Sequence, residues 1–238
     1  IEGSKFTDSS AKLHGGAIYI HGVNTTVNGS TFDHSTVNAT GSEGGAIYVY
    51  GENAVIEGSK FTDSSAKLHG GAIYIKEDNA IIKGSSFTHS TVDADDSQGG
   101  AIYVDGENTL IEGSSFVDSS AISRGGAIYI HGVNTTIKGS SFDDATAKAE
   151  GGAIYIQGQN ASVIDSKFNN TFAKTDSGYT KLINKGGAIF IDGFYANIDG
   201  SKFDNAGAFQ GGVIYLKGSN CNVTNSSFNN GYVSWDGG

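Results

Sequence analysis

The chain has 238 residues, a formal net charge of −10, 36 glycines, one cysteine, and neither proline nor methionine. Arg124 is the only arginine, so nucleic acid is excluded as an expected partner, because phosphate binding needs clustered Lys and Arg; the lone Cys221 excludes an internal disulfide framework. No apolar run approaches a membrane span and no secretory leader is visible, and the absence of methionine places the expected native start elsewhere.

In chain order the first recognisable segment is Ser4-Lys5-Phe6, followed by Gly15-Gly16-Ala17-Ile18. This Gly-Gly opening, or a near copy, recurs at Gly44, Gly70, Gly99, Gly125, Gly151, Gly186 and Gly211. From each first Gly it is 17 residues to a Phe: Phe32, Phe61, Phe87, Phe116, Phe142, Phe168, Phe203 and Phe228. The return from Phe to the next Gly-Gly varies: eight residues intervene after Phe6, Phe61, Phe116 and Phe142, eleven after Phe32 and Phe87, seventeen after Phe168 and seven after Phe203. A fixed frame broken at one variable corner is the signature of a solenoid. The spacing predicts an all-β, right-handed parallel β-helix of eight to nine coils of 25–35 residues, with about three short strands per coil. Residues 1–238 form one domain in this reading, with 169–185 as a long corner insertion.

One coil shows how the frame works. Gly16, Ile18 and Ile20 alternate with Ala17 and Tyr19, a strand of period two. A short corner ends at Asn24, which recurs as Asn53, Asn79, Asn108, Asn134, Asn160 and Asn220, with Tyr195 breaking the series. Turn asparagines stacked in this way predict a side-chain ladder. Val27 opens an aliphatic column, and the Gly29 column holds only Gly, Asp or Asn, residues that tolerate a left-handed bend. Ser30 and its equivalents are Ser in every coil and share parity with Phe32, so both are expected to face inward, the hydroxyls bonding to backbone or to one another. At the far end, Asp236-Gly237-Gly238 resembles the start of another opening, and Ile1–Ile20 is identical to Ile56–Ile75. The expectation is a window of a longer repetitive protein built by duplication of two-coil units, or a subunit that stacks end to end.

Gly-Gly-Ala-Ile-Tyr followed by Ser-x-Phe resembles the repeat of chlamydial polymorphic outer-membrane proteins and of the large adhesin-like surface proteins of methanogenic archaea. The resemblance runs from Ser4-Lys5-Phe6 to Gly238. The bacterial motif has Asn three residues after Phe; here that position is Ser9, Ser35, Ser64, Ser90, Ser119, Ala145, Thr171, Ala206 and Gly231, which favours the archaeal-type relatives. The resemblance implies a right-handed parallel β-helix displayed at a cell surface, and identifies no ligand.

Four candidate sites follow. The column Tyr19, Tyr48, Tyr74, Tyr103, Tyr129, Tyr155, Phe190 and Tyr215 is expected to point outward as a flat apolar stripe. It reads either as register-fixing stacking, as a lateral contact with another chain, or as a platform for sugar rings. Two residues past each Phe, Asp8, His34, Asp63, His89 and Asp118 alternate in type. They are weak candidates for metal ligands, against the plainer reading of a surface column that avoids stacking like charges. The long corner offers Phe172 and Tyr179 as contact residues, or is a tolerated insertion. Among the Asn-x-Ser/Thr sequons, Asn38 and Asn134 are the glycosylation candidates. A further column, Glu57, Lys83, Glu112 and Lys138, alternates in sign and reads as pairing that penalises a one-coil slip.

Every acidic column is a repeat feature and none is a one-off cluster, so the expectation is a non-enzyme without cofactor or resident metal. The function expected is an extracellular, structural or adhesive stalk of a cell-surface protein. A self-assembling sheath or filament subunit of the cell envelope is the alternative, and a polysaccharide-active enzyme comes third. Expected partners are copies or neighbouring repeats of the same protein and cell-surface glycans.

Overall fold

The computed structural model describes residues 1–174 and 184–236. These wind into an all-parallel β-solenoid with no helix among the described residues. Each coil crosses three sheets. The first collects the strands after Gly-Gly, from Ile18–Ile20 to Ile214–Lys217; the second runs from Thr26–Asn28 to Asn222–Thr224. The third carries the Phe strands, such as Ser115–Val117, and in most coils a second short segment, such as Ser120–Ala121. The break between those two segments is a left-handed residue, Asp118 in that coil.

Register is kept from coil to coil: Tyr74 pairs with Tyr48 and Tyr103, Ile82 with Ile56 and Ile111, and Phe87 with Phe61 and Phe116. The Phe rings stack 4.7–4.9 Å apart, each within 8° of parallel to the next. Nine such rings span on the order of 40 Å along the axis. Phe32 to Phe203, the Ile47 and Val49 columns and the Val27 column make up one continuous core.

The Gly-Gly pair has two separate causes. The first Gly is left-handed, with φ between 56° and 67° in all eight openings. At the second, a side chain has nowhere to go: a Cβ on Gly71 would overlap Gly100 O of the next coil and crowd the backbone of Thr91. The first sheet therefore begins by lying flat on the end of the third, which closes the cross-section at that corner.

The invariant serines explain themselves at the next bend. The Gly84 position is left-handed throughout its column, which turns the following amide out of the backbone ladder. The serine of the next coil takes that amide: Ser85 N donates to Ser114 Oγ at 3.3 Å, and Ser114 Oγ donates to Glu112 O at 3.2 Å. The same pattern runs from Ser4 N to Ser226 Oγ. The inward hydroxyls thus bond to backbone and not to one another.

The long and short corners also interlock. Ser42 in one long corner is buried, donates to Val37 O at 2.9 Å and accepts from Lys67 N of the following short corner at 3.0 Å. Ser97 repeats this with Val92 O and Ile122 N. From Phe6 to Phe116, where corner length alternates, each long corner and the short one after it are therefore a matched pair of shapes.

The insertion expected at 169–185 is narrower than that. Lys167–Ala173 is a continuous strand, paired with the coils on both sides, and Lys185 bridges Glu150 and Gln210. Asn169 to Ala173 and Lys185 thus belong to the frame, because Thr171 fills the buried serine position and Ala173 the buried alanine position of the neighbouring coils.

Candidate functional site

The aromatic column lies on the side of the first sheet away from the main core, and its rings stack 4.9–5.1 Å apart, within 7° of parallel. The exposed stripe expected of it is not found. Only Tyr19, in the first coil, is open, at 54% exposure, whereas Tyr48, Tyr74, Tyr103, Tyr129, Tyr155 and Phe190 are buried and Tyr215 is half-buried. The physical reason is the residue that precedes each Gly-Gly. His14, Glu43, His69, Gln98, Arg124, Glu150, Lys185 and Gln210 bridge one another in register, and His14, His69, Arg124 and Lys185 among them lean over the rings. His14 sits 4.5 Å from the Tyr48 ring and His69 4.3 Å from that of Tyr103, while Arg124 and Lys185 cover Tyr155 and Tyr215 at 5.4 and 5.1 Å. Glu43 holds His69 at 2.9 Å and His14 at 3.6 Å; Glu150 holds Arg124 at 2.9 Å and Lys185 at 3.9 Å. Burial, with the Glu43 charge adding to it, pushes the Tyr48 hydroxyl up to about 12. Burial also raises Tyr74, Tyr103, Tyr129 and Tyr155 above the ordinary tyrosine range. As a second, covered core, the column is no open face for a partner or a sugar along most of the rod.

Asp8, His34, Asp63, His89 and Asp118 all occupy left-handed positions, with φ of 50–52°. That backbone demand accounts for the run of Asp, His and Asn in this column. The side chains do meet: His34 Nε2 lies 3.5 Å from Asp63 Oδ2, and His89 spans Asp63 at 3.1 Å and Asp118 at 3.5 Å. The other carboxylate at His34 is Asp33, at 3.0 Å. Asp33, His34 and Asp63 have donor atoms within 4.8 Å of one another, a three-donor set that a divalent ion can use. All three are open to solvent on at least one side, and the imidazole lies against both carboxylates, at 3.0 and 3.5 Å.

Of the sign-alternating column, Lys83 and Glu112 form an ion pair at 3.1 Å. Phe172 is half-buried in its strand, with Lys174 4.9 Å above its ring; Tyr179 lies outside the described residues. Asn38 is exposed in a long corner. Asn134 is exposed too, but its amide is committed to the ladder, donating to Asn108 at 2.9 Å and accepting from Asn160 at 3.0 Å. The ladder runs from Asn24 to Asn160 and stops at Tyr195.

One feature went unread in the sequence. Where the first sheet turns into the second, a groove of about 540 Å³ runs along five coils from Asp105 to Lys217. Its signal was present in the chain: Phe194-Tyr195 is an aromatic pair standing where every other coil has Asn at the second position.

The coil geometry meets its counterpart among known folds. A family model, the right handed beta helix region, matches residues 15–122. That match and the parallel three-sheet winding make this a right-handed parallel β-helix repeat protein. No curated protein and no solved structure matches the chain.

Proposed function

We propose that this right-handed β-helix is a rigid stalk segment of an extracellular, adhesin-like surface protein, structural and not enzymatic. The observation that supports it is continuity. Every coil hands the same ladder of Phe, Tyr and Ser to the next, so load applied along the axis is shared by three sheets of parallel hydrogen bonds. The ionisable residues pair along the axis, as Glu43 with two histidines and Glu150 with Arg124 and Lys185 illustrate. The burial of the aromatic column takes away the stripe that would have favoured lateral bundling into a sheath, and leaves neighbouring repeats of the same rod as the natural partners.

Immunogold labelling of intact cells, combined with limited proteolysis, tests this reading. Label at a distance from the cell boundary and survival of the coils under proteinase K are the expected results. Label confined to the cell interior overturns the stalk, and a continuous labelled wall would assign the chain to an envelope sheath instead.

A further inference from the structure

We infer that the groove along the corner between the first and second sheets binds a neutral oligosaccharide, with Phe194 as the ring-stacking platform. The inference goes beyond the stalk reading and stands or falls independently of it.

The groove has two walls. One carries Asp105, His131, Gln157, Asp192 and Lys217; the other carries Glu107, Val133, Gln159 and Phe194. In the first wall His131 pairs with Asp105 at 2.9 Å, Lys217 pairs with Asp192 at 2.8 Å, and Gln157 Oε1 accepts from the Tyr129 hydroxyl at 3.1 Å. That leaves the Gln157 amide nitrogen and the second Asp192 oxygen for a ligand. Carboxylates and amides at successive rungs, next to an exposed aromatic face, are the groups that hold sugar hydroxyls and the apolar face of a pyranose. The rungs lie 4.9–5.1 Å apart here, close to the length of one sugar residue, so an extended chain lying along the axis can present one ring per rung.

Phe194 is 47% exposed and Tyr195, beside it, is 57% exposed. Tyr195 also takes a left-handed backbone, φ 61°, at a position where seven asparagines take φ of 56–63°. A bulky aromatic is poorly suited to that conformation, and here it also ends the Asn ladder. An open Phe194 in the lining of a polar groove, with Tyr195 exposed next to it in the chain, points to a ligand as the reason for the exchange.

Charge and backbone select the ligand class. Asp105, Glu107 and Asp192 outnumber the one lysine, Lys217, in the groove of a chain that carries −10 overall, a balance that disfavours acidic polysaccharides. An extended peptide binds by adding a strand, and the corner backbone offers nothing to add to. Asp192 O, Phe194 O and Lys217 O already accept from Gly158 N, Asn160 N and Gly193 N of the neighbouring coils.

The test is an amide NMR titration of the 238-residue chain with cellohexaose, mannohexaose and chitin hexasaccharide, using hexagalacturonate and hexalysine as controls. A neutral hexasaccharide is expected to shift the amides of Gln157 to Gln159 and Asp192 to Tyr195 and to leave Ile47 to Val49 unmoved. Phe194→Ala should weaken binding about tenfold, or ~1.4 kcal/mol, with the melting temperature unchanged. Tyr195→Asn should restore the ladder and raise the melting temperature while weakening binding. No shift with any neutral hexasaccharide at millimolar concentration overturns the proposal, as does a response to hexalysine alone. Unchanged affinity in Phe194→Ala overturns it as well.

Discussion

Ser114 and Ser119 are both buried inward serines of the same coil, and replacing each with alanine should have opposite effects. Ser114 Oγ accepts the Ser85 amide at 3.3 Å and donates to Glu112 O at 3.2 Å. Glu112 O keeps a second donor, Gly84 N at 2.9 Å, so the substitution strands only one group, the buried Ser85 N–H. An orphaned buried donor costs ~1–3 kcal/mol, and the removed methylene-sized volume is negligible. Ser119 Oγ, in contrast, has no hydrogen-bond partner among the described residues. Its column already holds Ala145 and Ala206 in other coils, both buried in the core. Ser119→Ala removes an unsatisfied hydroxyl and should be neutral or stabilising by ~0–1 kcal/mol. Guanidinium unfolding followed by far-UV circular dichroism gives both values, and hydrogen exchange at Ser85 gives a local readout that does not need two-state behaviour. Equal destabilisation by the two substitutions, or undiminished protection of the Ser85 amide in Ser114→Ala, would refute the account of why serine holds every position of its column.

Phe116→Ala, in mid-stack with neighbours at 4.8 and 4.9 Å, should cost ~3–5 kcal/mol in the same denaturation assay, and a loss below ~1 kcal/mol would mean that the stack relaxes to fill the gap. Arg124→Ala should uncover Tyr155 and leave Glu150 with Lys185 as its remaining cation; acrylamide quenching of tyrosine emission should rise, and no rise would show that the covering column is not what shields the rings. Alkali should destabilise the rod. Tyr48 has its folded value raised to about 12 from 10.0, so the stability it contributes is fully present below about pH 10 and is lost as pH climbs toward 12, where the unfolded chain has released a proton that the folded one keeps. Absorbance at 295 nm should show these tyrosines titrating late and together with unfolding; a normal titration with the fold intact would remove the argument. His34→Val should cost ~1–2 kcal/mol in thermal unfolding because of its left-handed backbone, while His34→Asn should be nearly neutral, and the reverse order would show that the imidazole itself matters more than the turn.

The strands, their parity and the parallel register were legible because period two and a 17-residue frame leave few alternatives, and Ile18, Val27 and Phe32 each state their side by their neighbours. Parity also put Tyr74 on the opposite side from Ile73 and Ile75. It could not give that ring's 3% exposure, since shielding comes from residues such as His69 around the tightest corner, and parity along one strand says nothing about what folds over it. The Asp8 to Asp118 column was read as surface charge spacing because φ is invisible in a side-chain list; the recurrence of Asn in its later members was the available clue. The corner groove escaped because it is made of residues that differ from coil to coil, and a reading down columns rewards sameness. Tyr195 was noticed as an interruption, and only its exposure and backbone turn the interruption into a candidate site.

The fit between long and short corners bears on inheritance as much as on folding. Ser42 and Lys67 meet across a boundary that Ser97 and Ile122 reproduce, and Ile1–Ile20 repeats without change as Ile56–Ile75. Unequal crossing-over between such stretches would add or drop a long-short pair of coils and leave every remaining boundary with the neighbours it had. A single coil gained or lost would set two long corners against each other, or two short ones, as this chain does once with the eight-residue corners after Phe116 and Phe142. A long-short pair of coils is therefore a unit by which the reach of the rod can change while the contacts at Ser42 and Ser97 and the cross-section are kept.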